Sequence, residues 1–110
     1  MKKDREIFLK DVLDAIGIIQ EYTKRITFVK FSQDLMVQDA VERRFIVIGE
    51  AFSRYKYSTP ENNPDFPYVQ AISMKNFLVH EYEKIKPEIV WKTIKKDLPA
   101  LKKKIDKLLK

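Results

Sequence analysis

Val37, Val41, Phe45, Ile48, Phe52 and Tyr55 recur at steps of four, four, three, four and three residues. That spacing keeps an apolar stripe on one side of an α-helix and would scatter it over both faces of a strand, so the middle of the chain is committed to a long core-facing helix. The stripe predicts a helix over residues 32–57, with Ser32 or Asp34 as its cap. Leu9, Val12, Leu13, Ile16 and Ile19 form a second stripe and predict a first helix over residues 4–24 that ends before Phe28.

Two such stripes need partners to cover them, and the C-terminal third supplies more. Residues 58–67 hold three prolines among turn-forming residues and read as the one substantial loop. Pro67 suits the first turn of a third helix, with Asp65 or Phe66 at its cap, running to about Tyr82. Pro87 opens a fourth helix whose Glu88 suits the positive end of the dipole and whose Trp91 and Ile94 add buried surface. Asp97 and Pro99 interrupt and restart the chain, and Leu98, Leu101, Ile105 and Leu108 line a terminal helix. No alternating strand pattern competes. The expected fold is an all-α bundle of four or five helices, residues 1–110 forming one domain.

Composition narrows the function classes. A hydrophobic fraction of 45% with 12% aromatics is enough for a core and argues against disorder. Two glycines and no cysteine leave no material for a glycine-rich phosphate loop, a thiolate metal site or a disulfide framework, and fit a reducing compartment. The opening Met1-Lys2-Lys3-Asp4-Arg5-Glu6 lacks the pattern of a signal peptide, and no apolar run is long enough to span a bilayer, so a cytoplasmic location is expected. The net charge of +6 sits mostly at one end. Residues 95–110 carry seven lysines against Asp97 and Asp106, a balance of +5, which leaves +1 for the other 94 residues. This lysine-rich tail reads either as the solvated face of an amphipathic helix or as an RNA-binding patch.

The single histidine, His80, lies in Lys75-Asn76-Phe77-Leu78-Val79-His80-Glu81-Tyr82. A histidine is the side chain best suited to hold and release a proton near neutral pH, which makes His80 the first candidate for general acid–base work. On a helix Lys75 and Tyr82 nearly superpose, and Asn76 and His80 stand one turn apart, so these polar groups share two adjoining stripes. Each also has a structural alternative: His80 as a helix-end cap, Asn76 as a buried amide bonded to a neighbouring helix, Tyr82 as a boundary aromatic with its hydroxyl in water.

The segment Lys75 to Tyr82 resembles the signature of the HepT-like family of HEPN toxins: arginine, four residues, histidine, one residue, tyrosine, usually with asparagine after the arginine. Pro87-Glu88-Ile89-Val90-Trp91, Asp97-Leu98-Pro99, Gln38-Asp39-Ala40-Val41-Glu42-Arg43 and Ile48-Gly49-Glu50-Ala51 are similar to the same family. The resemblance implies a HEPN-type bundle that forms a symmetric homodimer. It implies a metal-independent endoribonuclease without cofactor, the toxin of a type VII-like toxin–antitoxin pair, whose antitoxin is a minimal nucleotidyltransferase. Carried over, His80 is the catalytic histidine, Asn76 the polar residue beside it, and Tyr82 the position that is adenylylated. Lys75 stands where the family has arginine, keeping the charge but not the planar fork that grips a phosphate by two parallel bonds. Arg43 and Arg44 on the long helix are candidate phosphate ligands in compensation, or else exposed helix charges. A second implied reading follows from Lys75: a non-catalytic helical partner that docks the nucleotidyltransferase and receives nucleotide on Tyr82.

Overall fold

The computed structural model describes residues 2–58, Asn76 and residues 86–109. Among these residues every element is helical and no strand occurs. The all-α bundle expected from the stripes is the observed architecture. The loop expected over residues 58–67 and the helix expected over residues 67–82 lie outside the described residues, apart from Ser58 and Asn76.

Helix α1 spans Lys2–Thr23 and α3 spans Leu35–Ser58. The two pack along their length, and their stripes form most of the core. From α1 come Leu9, Val12, Ala15, Ile16 and Ile19, and from α3 come Val41, Phe45, Ile48, Ala51 and Phe52. Ile16, Ile19, Val41 and Phe52 are fully shielded from solvent. Each such aliphatic or aromatic side chain contributes about 1.5–3 kcal/mol by leaving water. Leu13, counted in the first stripe, is only partly buried against this cluster.

Between them stands a helix that the periodicity does not announce. α2, Phe28–Gln33, is six residues long. Thr27 starts it: the hydroxyl accepts from the amide of Lys30 at 3.2 Å and the carbonyl from the amide of Phe31 at 2.9 Å. Phe31 is buried and fixes the element to the core. The long helix consequently begins at Leu35 rather than near residue 32. Of its two proposed caps, Asp34 is the one used, its carboxylate accepting from the amide of Val37 at 3.1 Å. Ser32 lies inside α2 and donates to the carbonyl of Val29 at 2.7 Å.

Pro87 does open α4, Pro87–Lys92, with Glu88 in its first turn. Val90 and Ile94 are buried, while Trp91 is partly buried against the core. The expected break at Asp97 and Pro99 is absent. Thr93–Asp97 form a π-helical turn, and the chain passes directly into α5, Leu98–Leu109. In an ordinary helix the amide of residue 99 would bond to the carbonyl of Lys95, and proline has no such hydrogen. Widening the turn lets the preceding amide, that of Leu98, reach back five residues to the carbonyl of Thr93. Leu98 and Ile105 then enter the core, and Leu101 and Leu108 pack at its edge. Helix α4 leans on α2, and α5 on α1, so the C-terminal segment closes the bundle over the first hairpin.

Candidate active site

The site proposed from sequence divides between the described and undescribed parts of the chain. Lys75, His80 and Tyr82 lie outside the described residues. Asn76 is helical and exposed. Its exposure removes the reading of Asn76 as a buried amide bonded to a neighbouring helix and leaves its carboxamide accessible.

Arg43 and Arg44 occupy the third turn of α3, where the core stripe sets their directions. Val41 and Phe45 are buried, and Arg43, midway between them, points to solvent. Arg44 is half-buried and diverges from Arg43 by about 100° around the helix. The two therefore cannot act as one fork. Neither guanidinium is engaged in an ion pair or hydrogen bond with another described residue. Asp39, one turn before Arg43 and a natural partner for it, is exposed and makes no such pair. A guanidinium kept free of carboxylates retains all its donors for an anion.

Glu42 sets the electrostatics of the same stretch. Partial burial, and then the negative charge of Asp39 one turn minus one residue away, push its carboxyl above the usual range. About three turns further on, Ser53 donates to the carbonyl of Gly49 at 3.1 Å, so its hydroxyl is spent on the backbone and is no candidate nucleophile.

Sequence reasoning treated the C-terminal lysines as one block, and the structure sorts them. Lys95 donates to the carbonyl of Thr23 at 3.5 Å and lies 4.6 Å from the centroid of the Trp91 ring, which also packs on Phe28 and Phe31 at 6.1 and 5.2 Å between centroids. Lys92, Lys96, Lys103 and Lys107 instead face solvent. The signal that separates them was present in the sequence as steps of four, seven and four residues.

Among the described residues the structure is a helical bundle in which Asn76 and Arg43 are exposed and Arg44 is half-buried. The description of the HepT-like ribonucleases matches residues 12–108. This chain belongs to the HepT-like ribonuclease family. It is 36% identical over 110 residues, all of both chains, to a protein of Thermococcus cleftensis named "Probable ribonuclease HepT". It is 32% identical over 105 residues, 96% of each chain, to a "Putative RNase" of Methanocaldococcus jannaschii. A longer protein of the latter organism, named as a gamma-glutamylcyclotransferase and RNase, is 35% identical over 109 residues, which are 49% of its length. No solved structure matches the chain.

Proposed function

We propose that this chain is a metal-independent endoribonuclease, the toxin of a toxin–antitoxin pair that is controlled by adenylylation of Tyr82. The observation that carries the reading is the family match over residues 12–108, which takes in the whole segment from Lys75 to Tyr82. The accessible Asn76 and the unpaired Arg43 support it.

RNA supplies its own nucleophile. A base takes the proton of the ribose 2′-hydroxyl, the 2′-oxygen bonds to the adjacent phosphorus, and the bond from phosphorus to the 5′-oxygen breaks as an acid protonates that oxygen. The products are a 2′,3′-cyclic phosphate and a 5′-hydroxyl. His80 is one of the two proton carriers. The chain has a single histidine, so a two-fold dimer, the commonest soluble assembly, furnishes the other as His80 of the partner subunit. Lys75 and Asn76 hold the non-bridging phosphate oxygens, with Arg43 or Arg44 adding positive charge where the transition state gathers negative charge.

The antitoxin in this proposal is a minimal nucleotidyltransferase that joins AMP to the phenol of Tyr82, releasing pyrophosphate from ATP. The new phosphodiester charge and the base compete for the place of the RNA phosphate beside Lys75, so inhibition is electrostatic and steric together. The reaction belongs in the cytoplasm. Among the described residues no helix is long and apolar enough to cross a membrane.

The deciding experiment is cleavage of single-stranded RNA in the presence of a chelator by wild type and His80→Ala. Loss of a proton carrier that acts in the chemical step lowers the rate by roughly 100-fold or more. Cleavage unchanged by His80→Ala removes the proposal. Lysine in place of the family arginine favours a second reading, a non-catalytic partner that only receives nucleotide. That reading predicts AMP on the Tyr82 peptide, lost in Tyr82→Phe, with no cleavage at any concentration. Light scattering gives the assembly, and a monomer throughout the micromolar range contradicts the shared site.

A further inference from the structure

The apolar side of α4, the π-turn and α5 is occupied: Val90, Ile94, Leu98 and Ile105 are buried in the core. Lys92 and Lys96 each stand two residues beyond a buried position, Val90 and Ile94, and Lys103 and Lys107 flank buried Ile105 at the same interval. Two residues turn an ideal helix by about 200°, so these four ammonium groups rise from the side opposite the core. Their steps of four, seven and four residues keep them within roughly 60° of one another and spread them over about 22 Å of helix axis. They form a ridge rather than a patch.

None of the four makes an ion pair or hydrogen bond with another described residue. Lys95 is set apart from them by its bonds to Thr23 and Trp91. Three exposed acids border the ridge without pairing to it: Glu88 one turn before Lys92, Asp97 beside Lys96, and Asp106 about 60° from Lys103 around the helix. The result is a line of cations at steps of four, seven and four residues, with one exposed large apolar side chain, Ile89, a turn before Lys92 at its N-terminal end. A membrane surface needs an apolar face to insert, and here that face is in the core. A protein partner needs aromatic or aliphatic anchors at the centre of its interface, and the ridge offers only Ile89, at one end. What matches a row of identical point charges on a rigid rod is a row of identical opposite charges.

We propose that Lys92, Lys96, Lys103 and Lys107 form a track for the phosphate backbone of single-stranded RNA. The inference rests on the ribonuclease reading for the identity of the polyanion, though binding to the track does not need His80. Ammonium groups without a planar fork grip backbone charge and read no bases, so the track raises affinity evenly across sequences and feeds strand to the site. Each phosphate neutralised releases counterions, and for single strands the logarithm of the binding constant falls with the logarithm of salt concentration by about 0.7 per contact.

The test uses the full chain carrying His80→Ala, so that RNA stays intact, and a fluorescent oligouridylate titrated at several salt concentrations. Two triple variants of equal net charge are compared: Lys96→Gln, Lys103→Gln, Lys107→Gln on the ridge, and Lys10→Gln, Lys24→Gln, Lys30→Gln elsewhere. Circular dichroism confirms that both fold, since glutamine is as good a helix former as lysine. The ridge variant is expected to lose about 2 from the salt slope, and the control variant much less. Equal losses in both variants mean that only net charge counts and overturn the track. So does a ridge variant that binds RNA like its parent, including one that has lost binding to polyglutamate, which would make the ridge a surface for an acidic protein. A track that binds RNA while unmutated His80 gives no cleavage supports the inference and removes the ribonuclease reading instead.

Discussion

The ammonium group of Lys95, in the π-turn, donates to the carbonyl of Thr23, the last residue of α1, across 3.5 Å. The Thr23 hydroxyl is itself buried and donates back to Ile19 at 2.9 Å, so this end of α1 is closed from both sides. A cation at a helix C-terminus also meets the negative end of the dipole. Lys95→Met keeps the aliphatic stem and removes the charge, leaving the carbonyl and the Trp91 face without it. A loss of about 0.5–1 kcal/mol in urea unfolding is expected, given that the group is exposed. Lys96→Met, one residue on and without such partners, serves as the comparison and is expected to be neutral. Equal effects in the two variants sink the assignment.

Gly17 is the weak point of α1. It faces solvent in the middle of the helix with ordinary backbone angles, and a Cβ placed there meets no atom within 4 Å. Glycine in such a place costs chain entropy on folding without giving anything in return. Gly17→Ala should stabilise the protein by about 0.5–1 kcal/mol, seen as a higher denaturation midpoint with an unchanged slope. A neutral or negative change means that a contact outside the described residues occupies that face.

The parts of the fold legible in the sequence were those where many residues vote together. Leu9, Val12, Ile16 and Ile19, or Val41, Phe45, Ile48 and Phe52, repeat one message over about three turns, and burial followed it. α2 escaped because six residues are too few to show a period. Its signal was a single threonine, Thr27, whose capping hydroxyl is one among many polar side chains in a sequence. Pro99 misled for a different reason. A proline is incompatible with the next α-helical hydrogen bond but not with a helix that shifts its bonding by one residue, and the gain from burying Leu98 and Ile105 in line with Val90 and Ile94 favours the shift over a break. Of the proposed site residues, Arg43 and Asn76 are exposed and Arg44 half-buried, while Lys75, His80 and Tyr82 lie outside the described residues. What periodicity could not give was the partial burial of Arg44, because that depends on what packs across from it.

Glu42 offers a pH signature. Its folded carboxyl is held above the range it has in the unfolded chain, by burial first and by Asp39 second. An acid whose folded value is raised stabilises the fold while protonated, and that contribution is lost as pH rises through the folded value. At neutral pH the charged Glu42 is therefore a small liability. Glu42→Gln is expected to raise the melting temperature at about pH 7 and to lose that advantage at about pH 3.5, where the native carboxyl is protonated too. The same shift at both values would show that packing of the amide, not charge, is responsible.

Lys75→Arg tests the proposed chemistry at its one departure from the family. Position 75 carries the charge that the phosphate requires, so binding of the ground-state phosphodiester already has its partner. What lysine cannot supply is the second, parallel hydrogen bond to the oxygens that gather charge as the 2′-oxygen attacks. A hydrogen bond to a charged group is worth about 1.5 kcal/mol or more, which corresponds to about tenfold in rate if it forms fully only in the transition state. Arginine should therefore raise kcat by about tenfold and leave KM nearly unchanged, because an interaction that strengthens along the reaction accelerates it and one present throughout does not. In a His80→Ala background the same substitution should gain little, since without the proton carrier the charge to be stabilised does not develop along this route. A lowered KM at constant kcat makes residue 75 a binding group alone, and a gain that survives His80→Ala detaches it from the proposed site.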